Sequence, residues 1–135
     1  MSKYTLYAQS QRDRTDVHIN CAQAVLMAFA PELGLPEETA AKVAALFGTG
    51  MKIGSACGAY TGGLMVLGLA GLKDADTAAE YTEAFRMLEE GRLDCAELLR
   101  VNAERGGEKK PFCNRLIVGS TAIVEELLRR GGVIE

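Results

Sequence analysis

The sequence contains no apolar run long enough to cross a membrane. Its most apolar stretch, residues 58–72, is about fifteen residues long and rich in glycine, whereas a membrane-spanning helix needs ~20 apolar residues. A buried helix is the better interpretation. The first twenty residues are interspersed with charged side chains and lack the apolar core of a signal peptide. We therefore expect no membrane association and no export, and the expected location is the cytoplasm.

The sequence also lacks a strong excess of charge of either sign. Its net charge is -3, from 15 basic and 18 acidic side chains, which argues against a nucleic-acid-binding protein. The apolar content of 48% is typical of a globular chain rather than a disordered one. No linker or low-complexity tract divides the 135 residues. We therefore expect a single helical domain over residues 1–135.

Strand patterns are nearly absent from the sequence. Only residues 115–119 cluster β-branched side chains, whereas apolar residues recur at helical spacing in segments such as Val25, Phe29 and Leu33. The predicted helices are residues 4–11, 21–30, 36–47, 56–69, 77–90, 95–104 and 113–130. The first of these is short. The predicted fold is all-α, a compact bundle of about six helices joined by short loops.

The sequence has one histidine and no C-x-x-C motif. The second absence argues against a thioredoxin-type dithiol and against a ribbon-type zinc site. A hydrolase is unsupported, because nothing pairs with the histidine and the acidic residues form adjacent pairs typical of solvated helix faces. His18 lies three residues before Cys21 and is a candidate metal ligand or proton carrier, although a single histidine is more often incidental.

The remaining candidate functional residues are the four cysteines, Cys21, Cys57, Cys95 and Cys113. In a chain without an export signal they would be kept reduced, so permanent disulfides are disfavoured. They are then catalytic or sensing thiols, metal ligands, or buried apolar residues.

Helix-start signals lie beside each cysteine. The tetrads at residues 20–23 and 94–97 share the pattern of a capping box, which places each cysteine at the first helical residue. Ser55 and Pro111 each precede a cysteine by two residues and are favoured near helix starts. We predict that all four cysteines lie in the first turn of a helix. There, free N–H groups and the helix dipole stabilise a thiolate, which is both the nucleophile and the metal ligand.

Glycines surround the second cysteine, and Gly58 and Gly62 lie one turn apart on a single helix face. Glycine inside a helix marks the close approach of another group. Close packing of a neighbouring helix is the favoured explanation. The alternative is a ligand or cluster beside Cys57, which would make Gly58 and Gly62 cofactor-binding residues.

Four short segments carry a family resemblance: NCAQAV at residues 20–25, CGAxxGGLM at 57–65, CAELL at 95–99 and CNRLI at 113–117. With them, the chain resembles a bacterial and archaeal family of redox-active proteins named after the pattern C-GCAxxG-C-C. The resemblance covers about residues 20–117. One difference is that this chain has Cys-Gly-Ala where the family label has Gly-Cys-Ala. The resemblance implies a helical, cytoplasmic protein with a redox role, but it implies no substrate or partner.

The first functional hypothesis is a thiol-based oxidoreductase that performs thiol–disulfide or electron-transfer chemistry with all four cysteines as candidate catalytic residues. Its partner would be a redox protein or a small sulfur species. The hypothesis requires two sulfur atoms close enough to form a bridge. Cys57 is the expected attacking thiol, because uncrowded glycines surround it.

Two alternatives remain. In one, Cys21, Cys57, Cys95 and Cys113 together hold an iron–sulfur cluster or zinc, which suits four soft thiolate ligands. In the other, the chain is a helical interaction module with inert cysteines, which forms a homodimer through the helix at residues 58–69.

Overall fold

Seven α-helices form the computed structural model, which describes residues 1–135 and contains no β-strand. In chain order they are α1 (Lys3–Arg12), α2 (Cys21–Phe29), α3 (Glu37–Val43), α4 (Gly58–Leu69), α5 (Ala75–Arg86), α6 (Cys95–Glu104) and α7 (Lys109–Arg130). Short 3₁₀ turns follow α2 and α5, at Pro31–Leu33 and Met87–Glu89. The all-α prediction is confirmed, with seven α-helices instead of about six. None of these helices combines the length and apolar character that a membrane crossing requires.

The short helix α2 lies at the centre of the fold. It packs against α1, α3, α4 and α7, and most of its residues are buried. Helix α4 approaches it closely, because a Cβ atom at Gly62 would lie 2.8 Å from the carbonyl oxygen of Ala22 and one at Gly58 would lie 3.1 Å from the Ala22 nitrogen. The backbone of α2 fills the space that side chains at these glycines would need. Close helix packing therefore explains Gly58 and Gly62 without a ligand.

The longest helix, α7, has 22 residues and packs against α1, α2, α4 and α5. A buried hydroxyl pair joins it to α5 and α4, since the hydroxyls of Tyr81 and Ser120 lie 2.9 Å apart. They donate to the carbonyls of Tyr60 and Ala59, each at 2.8 Å. These polar groups are thus satisfied inside the core. The network fixes the first turn of α4, which directly follows Cys57.

Five predicted helix boundaries were wrong by two residues or more, including both ends of α5, which spans Ala75–Arg86 instead of residues 77–90. Helix α4 begins at Gly58, two residues later than predicted, so Cys57 occupies the N-cap position and Ser55 does not cap this helix. Helix α7 begins at Lys109, four residues earlier than predicted. Proline is tolerated throughout a first helical turn, so Pro111 marks the start of α7 only to within a turn. Helix α3 ends at Val43, four residues before the predicted end.

Candidate thiol site

Asn20 sets the position of Cys21 at the first residue of α2. Its side chain accepts a hydrogen bond from the Gln23 N–H at 2.8 Å, and the Gln23 side chain accepts one from the Asn20 N–H at 2.9 Å, so this predicted capping box forms. The buried Asn20 amide also donates to the carbonyls of Ala44 and Ala45, each at 3.1 Å. These two bonds satisfy carbonyls at the end of α3. The start of α2 is therefore anchored to the end of α3.

Cys57 and Cys95 are brought together by a single antiparallel bridge between Ala56 and Asp94. The N–H of each cysteine donates to a carbonyl of the opposite segment, at 3.0 Å for Cys57 and 2.6 Å for Cys95. The side chain of Asp94 makes no capping bond, so the second predicted capping box does not form. Long-range backbone pairing, rather than a local cap, determines where α6 begins.

The loop before this bridge folds over Cys95. It has an unusual backbone, with positive φ at Thr49, Met51 and Lys52 as well as at Gly50. At Gly50 a Cβ atom would lie 2.8 Å from the Cβ of Cys95. Glycine is needed there both for its φ of +60° and for the close approach to Cys95. Non-glycine residues with positive φ are strained, and they concentrate at functional sites.

Three of the four cysteines, Cys21, Cys95 and Cys113, line one small cavity of about 60 Å³. The fourth, Cys57, is buried with 5% of its surface exposed. It lies close to Cys21, because a Cβ atom on the next residue, Gly58, would lie 3.1 Å from the Cβ of Cys21, and the Ala56–Asp94 bridge places it beside Cys95. All four are free thiols. The cysteines, which are far apart in the sequence, therefore meet at one end of the bundle.

The helix positions of the four cysteines differ from one another. Cys21 and Cys95 are the first residues of α2 and α6, and Cys57 is the N-cap residue of α4. Cys113 is the fifth residue of α7, one turn further into its helix than predicted, because α7 begins at Lys109. The positive end of the α7 dipole therefore acts on Cys113 less directly than expected.

The structure contains no ready metal site. No group of three or more histidine, cysteine, aspartate or glutamate side chains is arranged so that it could hold a metal ion. The expected alternative, a cluster or zinc ion held by all four cysteines, therefore finds no ready set of ligands in the structure.

Cys113 has the environment that best favours a thiolate. Hydrogen bonding with Cys21 lowers the pKa of the Cys113 thiol to about 7 against the opposing effect of burial, and the positive charges of Arg12 and Lys109 act in the same direction as Cys21. The same contact raises the pKa of Cys21 well above its ordinary value. Of this pair, Cys113 is therefore the thiol that loses its proton more readily.

The other two thiols stay protonated near neutral pH. Burial raises the pKa of Cys57 to about 11, although the N–H groups of Ala59 and Tyr60 act in the opposite direction. Burial also raises the pKa of Cys95. The glycines that suggested an accessible Cys57 are packed against α2. Cys113, rather than Cys57, is therefore the thiol whose pKa is lowered.

Arg12 and Lys109 were missed as site residues. The Arg12 guanidinium donates to the Ile19 carbonyl at 2.6 Å and to the Asn114 side chain at 3.1 Å. Lys109 lies four residues before Cys113 on α7 and shares its helix face. That spacing would have been visible in the sequence if the start of α7 had been placed correctly. Arg12 lies on a different helix, so no local pattern connects it to Cys113.

His18 and Thr49 also line the cysteine cavity. Both residues are exposed. His18 is therefore beside the thiols, as its position before Cys21 suggested, and it remains a candidate proton carrier.

A family model described as "Putative redox-active protein (C_GCAxxG_C_C)" matches residues 19–127, a range that includes all four cysteines. The comparisons with curated proteins and with solved structures gave no match.

Proposed function

Since the chain belongs to the C_GCAxxG_C_C family, we propose that Cys113 and Cys21 form a dithiol that reduces a disulfide of a protein or of a small sulfur compound. The cavity that both thiols line carries the proposal, and hydrogen bonding with Cys21 lowers the pKa of Cys113 to about 7. The thiolate is the attacking species in thiol–disulfide exchange, and an attacking thiol is most effective when its pKa lies near the ambient pH.

The reaction begins when the Cys113 thiolate attacks one sulfur atom of the substrate disulfide. The other substrate sulfur leaves as a thiolate, and Cys113 is left in a mixed disulfide. Cys21 then attacks the Cys113 sulfur, loses its proton to a departing thiolate and releases the second half of the substrate. Two electrons pass from the protein to the substrate, which becomes two thiols, and the protein then holds a Cys21–Cys113 disulfide. A dithiol reductant restores the starting state.

The thiol pair also prepares Cys21 for the second step. While Cys113 is a thiolate, hydrogen bonding to it is the largest cause that raises the pKa of Cys21. The mixed disulfide carries no charge on the Cys113 sulfur, so this cause disappears when the first step is complete. Cys21 therefore becomes easier to deprotonate only when it is needed. Cys95 lines the same cavity and is the competing candidate for this resolving step.

The test is oxidation of the reduced protein by one equivalent of a small disulfide, followed by a thiol count and peptide mapping. We expect the loss of two thiols and a disulfide between Cys21 and Cys113. A Cys21→Ala variant should stop at the mixed disulfide on Cys113, and Cys113→Ala should react much more slowly. Cys95→Ala is the matched control and should still form the Cys21–Cys113 disulfide. The proposal is wrong if the disulfide involves other cysteines or if Cys113→Ala reacts at the wild-type rate.

A further inference from the structure

We infer that the substrate carries a negatively charged group that binds in a basic pocket next to the cysteine cavity; this inference rests on the proposed thiol chemistry. The basic pocket has a volume of about 290 Å³. It is lined by Arg12, Arg14, His18, Ile19, Lys109 and Lys110. Four of these six residues carry a full positive charge, one is a histidine, and none is acidic.

The basic pocket adjoins the cysteine cavity. Arg12, His18 and Lys109 line both spaces. A ligand whose anionic group lies among the basic side chains therefore has its neighbouring atoms beside Cys21 and Cys113. The two spaces can be occupied by two parts of one small molecule.

The positive charges in the basic pocket are largely free of acidic partners. Arg12, Lys109 and Lys110 take part in no ion pair of the structure, and only Arg14 is paired, with the exposed Asp16 at 2.7 Å. The chain as a whole has a net charge of -3. The concentration of positive charge at this point is therefore a local feature, and such a feature attracts anions.

The sizes of the two spaces restrict the substrate class. The cysteine cavity, at about 60 Å³, admits a sulfur atom and its immediate neighbours but no bulky group. The basic pocket is several times larger and can hold the remainder of a small molecule. The class that fits both is a small disulfide with a carboxylate a few bonds from the sulfur atom. Arginine and lysine bind carboxylates through charge-assisted hydrogen bonds.

The test compares two disulfide probes that differ in charge: the dianion 5,5′-dithiobis(2-nitrobenzoate) and the neutral 4,4′-dithiodipyridine. The variant is Lys110→Glu, because Lys110 lines the basic pocket but is not among the charges that lower the pKa of Cys113. The matched control is Lys73→Glu, an equal charge change at an exposed residue between α4 and α5. The length of α4, ~18 Å, separates Lys73 from the cysteine end of that helix.

We expect Lys110→Glu to lower the rate of Cys113 oxidation by the anionic probe by about tenfold, a typical size for electrostatic steering. The rate with the neutral probe should stay within about twofold of the wild-type rate. Equal losses with both probes, or an equal loss with the anionic probe in Lys73→Glu, would overturn the basic-pocket inference and leave the thiol chemistry standing. If neither probe oxidises Cys113 in the wild-type protein, the proposed function fails as well.

Discussion

Replacing Cys21 with alanine tests the contact on which the thiol site depends. Hydrogen bonding with Cys21 is the largest cause that lowers the pKa of Cys113 from 9.0 to about 7. At pH 7, about half of Cys113 is then a thiolate, compared with roughly 1% of a thiol at its ordinary pKa. We expect Cys21→Ala to raise the pKa of Cys113 toward its ordinary value.

Two opposing changes set the reaction rate of Cys113 in this variant: a smaller thiolate fraction and a more nucleophilic thiolate. If the whole shift is lost, the thiolate fraction at pH 7 falls by about 50-fold. A thiolate of higher pKa is intrinsically more nucleophilic. With a Brønsted coefficient of ~0.4–0.5, an increase of two pKa units raises the rate constant of thiolate attack by roughly sixfold to tenfold. The rate at pH 7 should therefore fall by about fivefold to eightfold. Well above pH 9 both proteins are ionised at Cys113, and the variant should react faster. The two pH–rate profiles should cross.

The assay measures the attack of Cys113 on a small neutral disulfide between pH 5 and pH 10. Samples are quenched with acid, and mass spectrometry of the Cys113 peptide counts every oxidised form. Cys95→Ala is the control, because Cys95 is not among the groups that shift the pKa of Cys113. Faster reaction of Cys21→Ala at every pH would show only that the cavity had opened. An unchanged titration midpoint in Cys21→Ala would refute the assigned role of the thiol contact.

Two further predictions concern stability, and each has its control in the same chain. Gly62→Ala should destabilise the fold by about 1–3 kcal/mol, because its Cβ would lie 2.8 Å from the Ala22 carbonyl oxygen. Gly68→Ala is the control and should stabilise the fold by up to ~1 kcal/mol, because a Cβ atom there would have no neighbour within 4 Å. Asn20→Ala should cost about 1–3 kcal/mol through the lost cap and the lost hydrogen bonds to the carbonyls of Ala44 and Ala45. Asp94→Ala should change stability by less than ~0.5 kcal/mol. Denaturant unfolding followed by circular dichroism measures all four variants. Equal effects within either pair would contradict the packing or the capping argument.

Features fixed by local sequence were predicted well. Helix α2 begins at Cys21, the residue predicted from its capping box. The Asn20 capping box also forms, because its two bonds join residues only three positions apart. The all-α fold follows from helical periodicity that recurs along most of the chain.

Features that depend on distant segments could not be predicted in the same way. Residues 94–97 have the same pattern as residues 20–23, but Asp94 pairs its backbone with Ala56 and makes no cap. The charge of Arg12 reaches Cys113 only because α1 packs against α7. Cys57 was expected to be accessible because glycines surround it, but those glycines bring α2 close and contribute to its burial.

The sequence separation of the thiol pair has an energetic consequence. Cys21 and Cys113 are 92 residues apart in the chain, so a disulfide between them would close a loop that contains helices α2 to α6 and the first residues of α7. The chain-entropy model gives on the order of 4–5 kcal/mol for closing a loop of this length. By linkage, folding would lower the reduction potential of the pair by about 100 mV relative to the unfolded chain. The folded, reduced protein would therefore be a stronger electron donor than the unfolded chain. The oxidised protein would be harder to unfold than the reduced protein.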